Sequence, residues 1–119
     1  MTDEVKQKLR DAGVDLEGAM ERFLNNEAMY EKFLKKFLAD PNYQELTAAV
    51  AEKDCKRAFT ASHTLKGVCG NLALQGLYHA ISDQVECFRT EKFEEGAAMM
   101  PAVAEEYDKI VAMITTVFP

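Results

Sequence analysis

Ala61-Ser-His-Thr-Leu-Lys-Gly-Val-Cys-Gly-Asn71 decides how this chain is read. At about 100° per residue, Ala58, Ala61, Leu65, Val68 and Leu72 fall on one narrow helical stripe, and that stripe faces a core. His63 lies roughly 180° from the middle of the stripe by the same period, so its imidazole points outward. Lys56, Phe59, Lys66, Gly67 and Gly70 share its face. That is an odd surface: an imidazole, amines, a phenyl ring and residues with no side chain at all.

The glycines sharpen it. A glycine inside a helix costs about 0.5–1 kcal/mol relative to alanine. Gly70 is close enough to the helix end to act in a cap, but Gly67 is not. It stands one turn beyond His63, where a side chain would shield the ring from an approaching molecule. A histidine on a solvated face is ordinarily just surface; the neighbouring Lys66 and Gly67 set this one apart.

His63-Thr-Leu-Lys66-Gly67-Val-Cys-Gly70-Asn71-Leu72 resembles the signature of histidine-containing phosphotransfer (HPt) domains. These are small helical bundles that carry a phosphoryl group between receiver domains in two-component phosphorelays. The likeness covers the histidine, the lysine three residues on, the glycine beside it and the small residue at Gly70. Apolar spacing from about Val14 to Phe88 is also similar. One departure is Ala73, where the family often has glycine after the leucine. The resemblance implies that His63 is the phosphoacceptor, through Nε2, and that Lys66 offsets phosphoryl charge. Lys56, Phe59, Gly67 and Gly70 would then form the docking face for a receiver. The family often orients its histidine with a polar residue from the following helix, and Gln84 is the candidate here.

Composition suits such a domain. A chain of 119 residues falls in the range of one domain, 1–119, and buries roughly two-thirds of its unfolded surface. With 48% apolar and 29% charged residues it is neither disordered nor a membrane span. The charged start, Met1 to Arg10, lacks the apolar core of a secretory signal. The longest mostly apolar run, Ala97 to Ala104, is too short for a bilayer. The expectation is a cytoplasmic monomer with no membrane contact. Net charge is −6 without a basic cluster, which excludes a nucleic-acid surface. Cys55, Cys69 and Cys87 have no metal-ligand spacing and read as reduced thiols, Cys69 as a small core residue.

The rest of the chain is helical throughout. Thr2 or Asp3 caps a first short helix ending near Asp11, and Ala12-Gly13 breaks it. A second short helix is expected over 16–24, with Met20, Phe23 and Leu24 as its apolar face. The pairs Met29/Tyr30, Phe33/Leu34 and Phe37/Leu38 predict a wide core stripe over 27–39, with Lys32, Lys35 and Lys36 solvated. Asp40-Pro41 interrupts the pattern. A segment with Leu46 and Val50 follows through Ala51, either a kinked continuation or a separate helix. Asp54 caps the His63 helix, which runs to about Asn71. Leu77, Ile81, Val85 and Phe88 give the stripe of a helix over 74–89, and His79 lies outside it. The last helix spans roughly 93–118, and Pro101 kinks it or marks its true start. The expected architecture is all-α: an up-and-down antiparallel four-helix bundle with one or two short N-terminal helices.

Imidazole, with a reference pKa near 6.5, is neutral and nucleophilic at working pH. The chain has no phosphate-cradling glycine loop and no nucleotide signature. The expectation is a carrier, neither a kinase nor another enzyme, with no cofactor and no metal. Two other classes are weighed against it. A scaffold that binds receivers without carrying phosphate would not need His63, Lys66 and Gly67 together. A small hydrolytic or metal enzyme built on His63 and His79 would need further ligands converging on them.

Overall fold

The computed structural model describes residues 1–119 and contains helices and no strand. In chain order these are α1 (Asp3–Asp11), α2 (Leu16–Arg22), α3 (Glu27–Phe37), α4 (Asn42–Ala51), α5 (Cys55–Asn71), α6 (Gln75–Arg89), α7 (Phe93–Ala98) and α8 (Met100–Val117). Side chains cap four of the eight starts. Thr2 accepts from Val5 N at 3.1 Å, Asp15 from Gly18 N at 3.1 Å, Asn26 from Met29 N at 3.0 Å and Asp54 from Arg57 N at 3.1 Å. Each such cap contributes about 1 kcal/mol by satisfying an amide with no partner inside its helix.

α5 lies between α4 and α6. Its first residue, Cys55, donates its thiol to Phe88 O near the end of α6 at 3.5 Å, while Tyr78 at the start of α6 stands over Gly70 near the end of α5. The two helices are therefore antiparallel. Arg57 ties α5 to α4 through Glu45 at 2.7 Å and through Glu52. α6 packs on α8, and the Tyr43 and Tyr107 rings stack at 3.7 Å to bring α4 against α8. One apolar cluster unites these elements, with Leu65, Leu77, Ile81, Ile110 and Ile114 fully enclosed. Burying each such side chain stabilises by about 1.5–3 kcal/mol.

Several sequence expectations need correction. α2 stops at Arg22, because the chain turns left-handed at Leu24 (φ 53°) and Asn25 (φ 62°). That turn swings Leu24 out to 88% exposure, while Met20 and Phe23 pack half-buried against the core beside the buried Leu16 and Ala19. On α3 only one of each apolar pair goes inward: Tyr30, Leu34 and Phe37 are buried, whereas Met29, Phe33 and Leu38 are exposed. Of the two readings left open after Asp40-Pro41, the separate helix is the one observed: α4 begins where Asp40 accepts from Asn42 N at 2.9 Å. Pro101 marks the true start of the last helix, one of the two readings offered for it: the segment over 93–118 breaks at Met99 and Pro101 lies in the first turn of α8, where its missing N–H is no loss.

The α5–α6 turn is closed by Leu74 N on Cys69 O at 2.9 Å and Ala73 N on Gly70 O at 3.3 Å. This is the Schellman arrangement, and it places Ala73 at φ 57°, a region where glycine is the unstrained choice. The N-terminal corner braces the same turn. Asp15 N donates to Ala73 O at 2.9 Å and Gly76 N to Gly13 O at 3.0 Å. A methyl on Gly76 would stand 2.7 Å from a Glu106 carboxylate oxygen and 3.6 Å from Gly13 Cα, so a side chain there would push the end of Glu106 aside. No helix is long and apolar enough to cross a membrane.

Candidate functional site

The site is one flank of α5. Ala58, Ala61, Leu65, Cys69 and Leu72 are buried beneath it, Val68 is half-buried, and Ser62 joins them by donating its hydroxyl to Ala58 O at 2.7 Å. That packing fixes the rotation of the helix and leaves His63 exposed. The nearby threonines do not reach the ring. Thr60 and Thr64 turn their hydroxyls back onto Lys56 O at 3.2 Å and Thr60 O at 2.9 Å.

What the imidazole does touch is Phe59, one turn earlier. The ring centroids are 5.6 Å apart and the planes differ by 22°, an offset stack of the favoured kind. Phe59 is half-buried against the core, and the Arg89 guanidinium from the end of α6 lies 4.9 Å from its centroid. Arg89 is itself held by Glu86 at 3.0 Å. Lys56, exposed, borders a surface cleft of about 240 Å³ that also includes Cys55, Phe59, Phe88, Arg89 and Glu91.

One turn past His63 the helix is bare. A methyl added to Gly67 would meet nothing within 4 Å. Gly70 is less open: a methyl there would lie in ordinary contact with Tyr78 Cε2 at 3.4 Å. The same ring carries Lys66, whose ammonium lies 5.5 Å from the centroid. The lysine ion pairs of the chain are Lys6–Glu27, Lys8–Glu4, Lys35–Glu31 and Lys109–Glu106. Lys56 and Lys66 thus keep uncompensated charges on the His63 flank of an acidic chain.

Gln84 does not orient the histidine. It is fully buried, and its amide donates to Gly96 O at 3.2 Å and approaches Met100 Sδ at 3.0 Å. That carbonyl also accepts from Met99 N at 3.1 Å, so Gln84 adds a second donor where α7 ends. Sequence reasoning placed Phe59 on the face by its i, i+4 spacing but missed its stack. Arg89 and Tyr78 were missed because nothing local marks a contact between helices. His79 is exposed, with its Nε2 3.2 Å from the Gln75 amide. Cys69 is enclosed, and burial pushes its thiol pKa up to about 12, with a further push from Asp40.

The His, Cys, Asp and Glu side chains form no group of three that could hold a metal ion. No family model matches the chain, and no curated protein and no solved structure matches it. What the protein does must follow from the geometry and chemistry of the flank.

Proposed function

We propose that this chain is a histidine phosphotransfer protein, a cytoplasmic carrier that takes a phosphoryl group from the aspartyl phosphate of one receiver domain and passes it to another. The observation that carries this is the exposed His63 imidazole beside a helix turn left bare by Gly67, with an unpaired Lys66 ammonium on the same flank. In this reading α4, α5, α6 and α8 are the four helices of an antiparallel bundle and α1 to α3 cover one end.

Phosphoryl transfer proceeds through a loose, in-line transition state, so the carrier contributes position and charge. A lone pair on an imidazole nitrogen forms the N–P bond as the P–O bond to the receiver's carboxylate breaks. The bonding electrons leave on that carboxylate, and the proton on the other ring nitrogen stays in place. Lys66 meets the charge that arrives, through hydrogen bonds worth more to an anion than to a neutral group. Gly67 leaves room for the receiver's loops.

Incubation with phosphorylated receiver domains of the source organism tests this. The expected product is an acid-labile, base-stable adduct on His63. A chain that takes no label from any receiver, or takes it elsewhere, overturns the proposal.

A further inference from the structure

His63 stands between unlike neighbours: a ring one turn before it and empty space one turn after it. Phe59 cannot swing away freely, because its body packs on the core and its other contacts include the Arg89 guanidinium at 4.9 Å. Arg89 in turn is braced by Glu86 at 3.0 Å. The stack Arg89–Phe59–His63 therefore crosses from α6 to α5 and ends on the imidazole. No such backing exists on the Gly67 side, where an added methyl meets nothing within 4 Å.

We propose that Phe59, steadied by Arg89, is the positioning residue of His63. It covers one side of the imidazole and limits its rotation, so that the phosphoryl group arrives from the Gly67 side. This rests on the carrier reading above and supplies what Gln84 does not, a part that holds the ring. The physical reason is entropic. An exposed imidazole on a bare helix samples several rotamers, and each unproductive one lowers the fraction ready for in-line attack. A flat apolar partner restricts χ1 and χ2 without engaging either ring nitrogen, so the lone pair stays available. A hydrogen-bonding partner would occupy one of the two nitrogens.

The test compares Phe59→Leu, Phe59→Tyr and Arg89→Gln with wild type, using two phosphodonors. One donor is a receiver domain that loads the wild-type chain. The other is phosphoramidate, which is small enough to approach from any side. Phe59→Leu should lower kcat for the receiver about three- to tenfold, the range an aromatic pair can supply. KM should move by less than about twofold, and the phosphoramidate rate should not fall. Phe59→Tyr should restore wild-type behaviour, and Arg89→Gln should show a smaller drop of the same kind. The His63 ring protons should shift in the NMR spectrum of Phe59→Leu as the ring current disappears. A wild-type kcat in Phe59→Leu, or equal losses with both donors, overturns the positioning role while leaving the carrier reading intact. If no receiver loads wild type, the carrier reading fails and takes this inference with it, even where the ring-proton shift shows the stack itself.

Discussion

The Lys66 ammonium rests over the Tyr78 ring, 5.5 Å from its centroid, so its partner belongs to α6 and not to its own helix. A cation–π contact of this exposed kind is worth about 0.5–1 kcal/mol. A phosphoryl group on His63 would compete for the amine with a charge-assisted hydrogen bond worth about 1.5–3 kcal/mol. The hydrogen bond is the stronger of the two, and Lys66 should leave Tyr78 on phosphorylation. Lys66→Ala is therefore expected to slow transfer or shorten the lifetime of the adduct by about tenfold without a complete block. Kinetics identical to wild type would reduce Lys66 to ordinary surface.

His63 and His79 are both exposed, but only His63 has Gly67 and Lys66 beside it. His63→Gln should abolish the acid-labile phosphate, and His79→Gln should leave it unchanged. The measurement is labelling by a phosphorylated receiver followed by acid and base treatment. Label that survives in His63→Gln would place the acceptor elsewhere.

Gly67→Gln separates stability from function. The helix should gain several tenths of a kcal/mol in propensity, on the order of 0.5, because the new side chain enters open space. The melting temperature should be equal or higher while receiver-to-His63 transfer collapses. A destabilised variant would mean that Gly67 faces another part of the protein.

Helix endings offer a prediction free of function. Lys53 sits at φ 56° with an exposed side chain, and Ala73 at φ 57° with a buried one. Glycine relieves the left-handed strain in both, by about 1–2 kcal/mol before the entropy of the unfolded chain takes part of it back. Lys53→Gly gives up no buried surface and should stabilise by about 0.5–1 kcal/mol. Ala73→Gly also loses a buried methyl worth about 0.8 kcal/mol, so its change should be near zero. Urea denaturation of the two variants checks the difference, and a larger gain at Ala73 would contradict it.

Thiol chemistry reports the core. Cys69 is fully enclosed with its pKa pushed up to about 12, whereas Cys55 and Cys87 are half-buried. A thiol reagent at neutral pH should label Cys55 and Cys87 in the folded protein and reach Cys69 only on unfolding. Equal reactivity of all the cysteines would show that α5 is not packed as described.

Much of the fold is legible where the information is local. The Asp54 cap, the period through Leu72 and the first-turn position of Pro101 all lie within a few residues of what they control. The errors arise where a distant element decides. Met29 and Tyr30 sit about 100° apart on a helix, and only a neighbouring layer determines which of them is covered. Leu24 fits a helical stripe until the left-handed turn removes it. Gln84 depends on the Gly96 carbonyl and the Met100 sulfur of α7 and α8, and the space beside Gly70 on a ring from α6. The candidate face shows the same division: His63, Lys66 and Gly67 follow from spacing, and the Arg89–Phe59 contact does not.

The bonds from Asp15 to Ala73 and from Gly76 to Gly13 also set an order of assembly. The α5–α6 hairpin needs only a short loop, but joining residue 13 to residue 76 closes a much longer one, and its entropy must be spent before the contact is rewarded. The N-terminal corner should therefore latch last during folding and open first in native-state hydrogen exchange. When it opens, the turn at Ala73 is left with the Tyr30 hydroxyl bond to Leu72 O at 2.7 Å, and the C-terminal end of the His63 helix should fray more readily. A segment remote in sequence from the histidine would thus govern how long its helix stays whole.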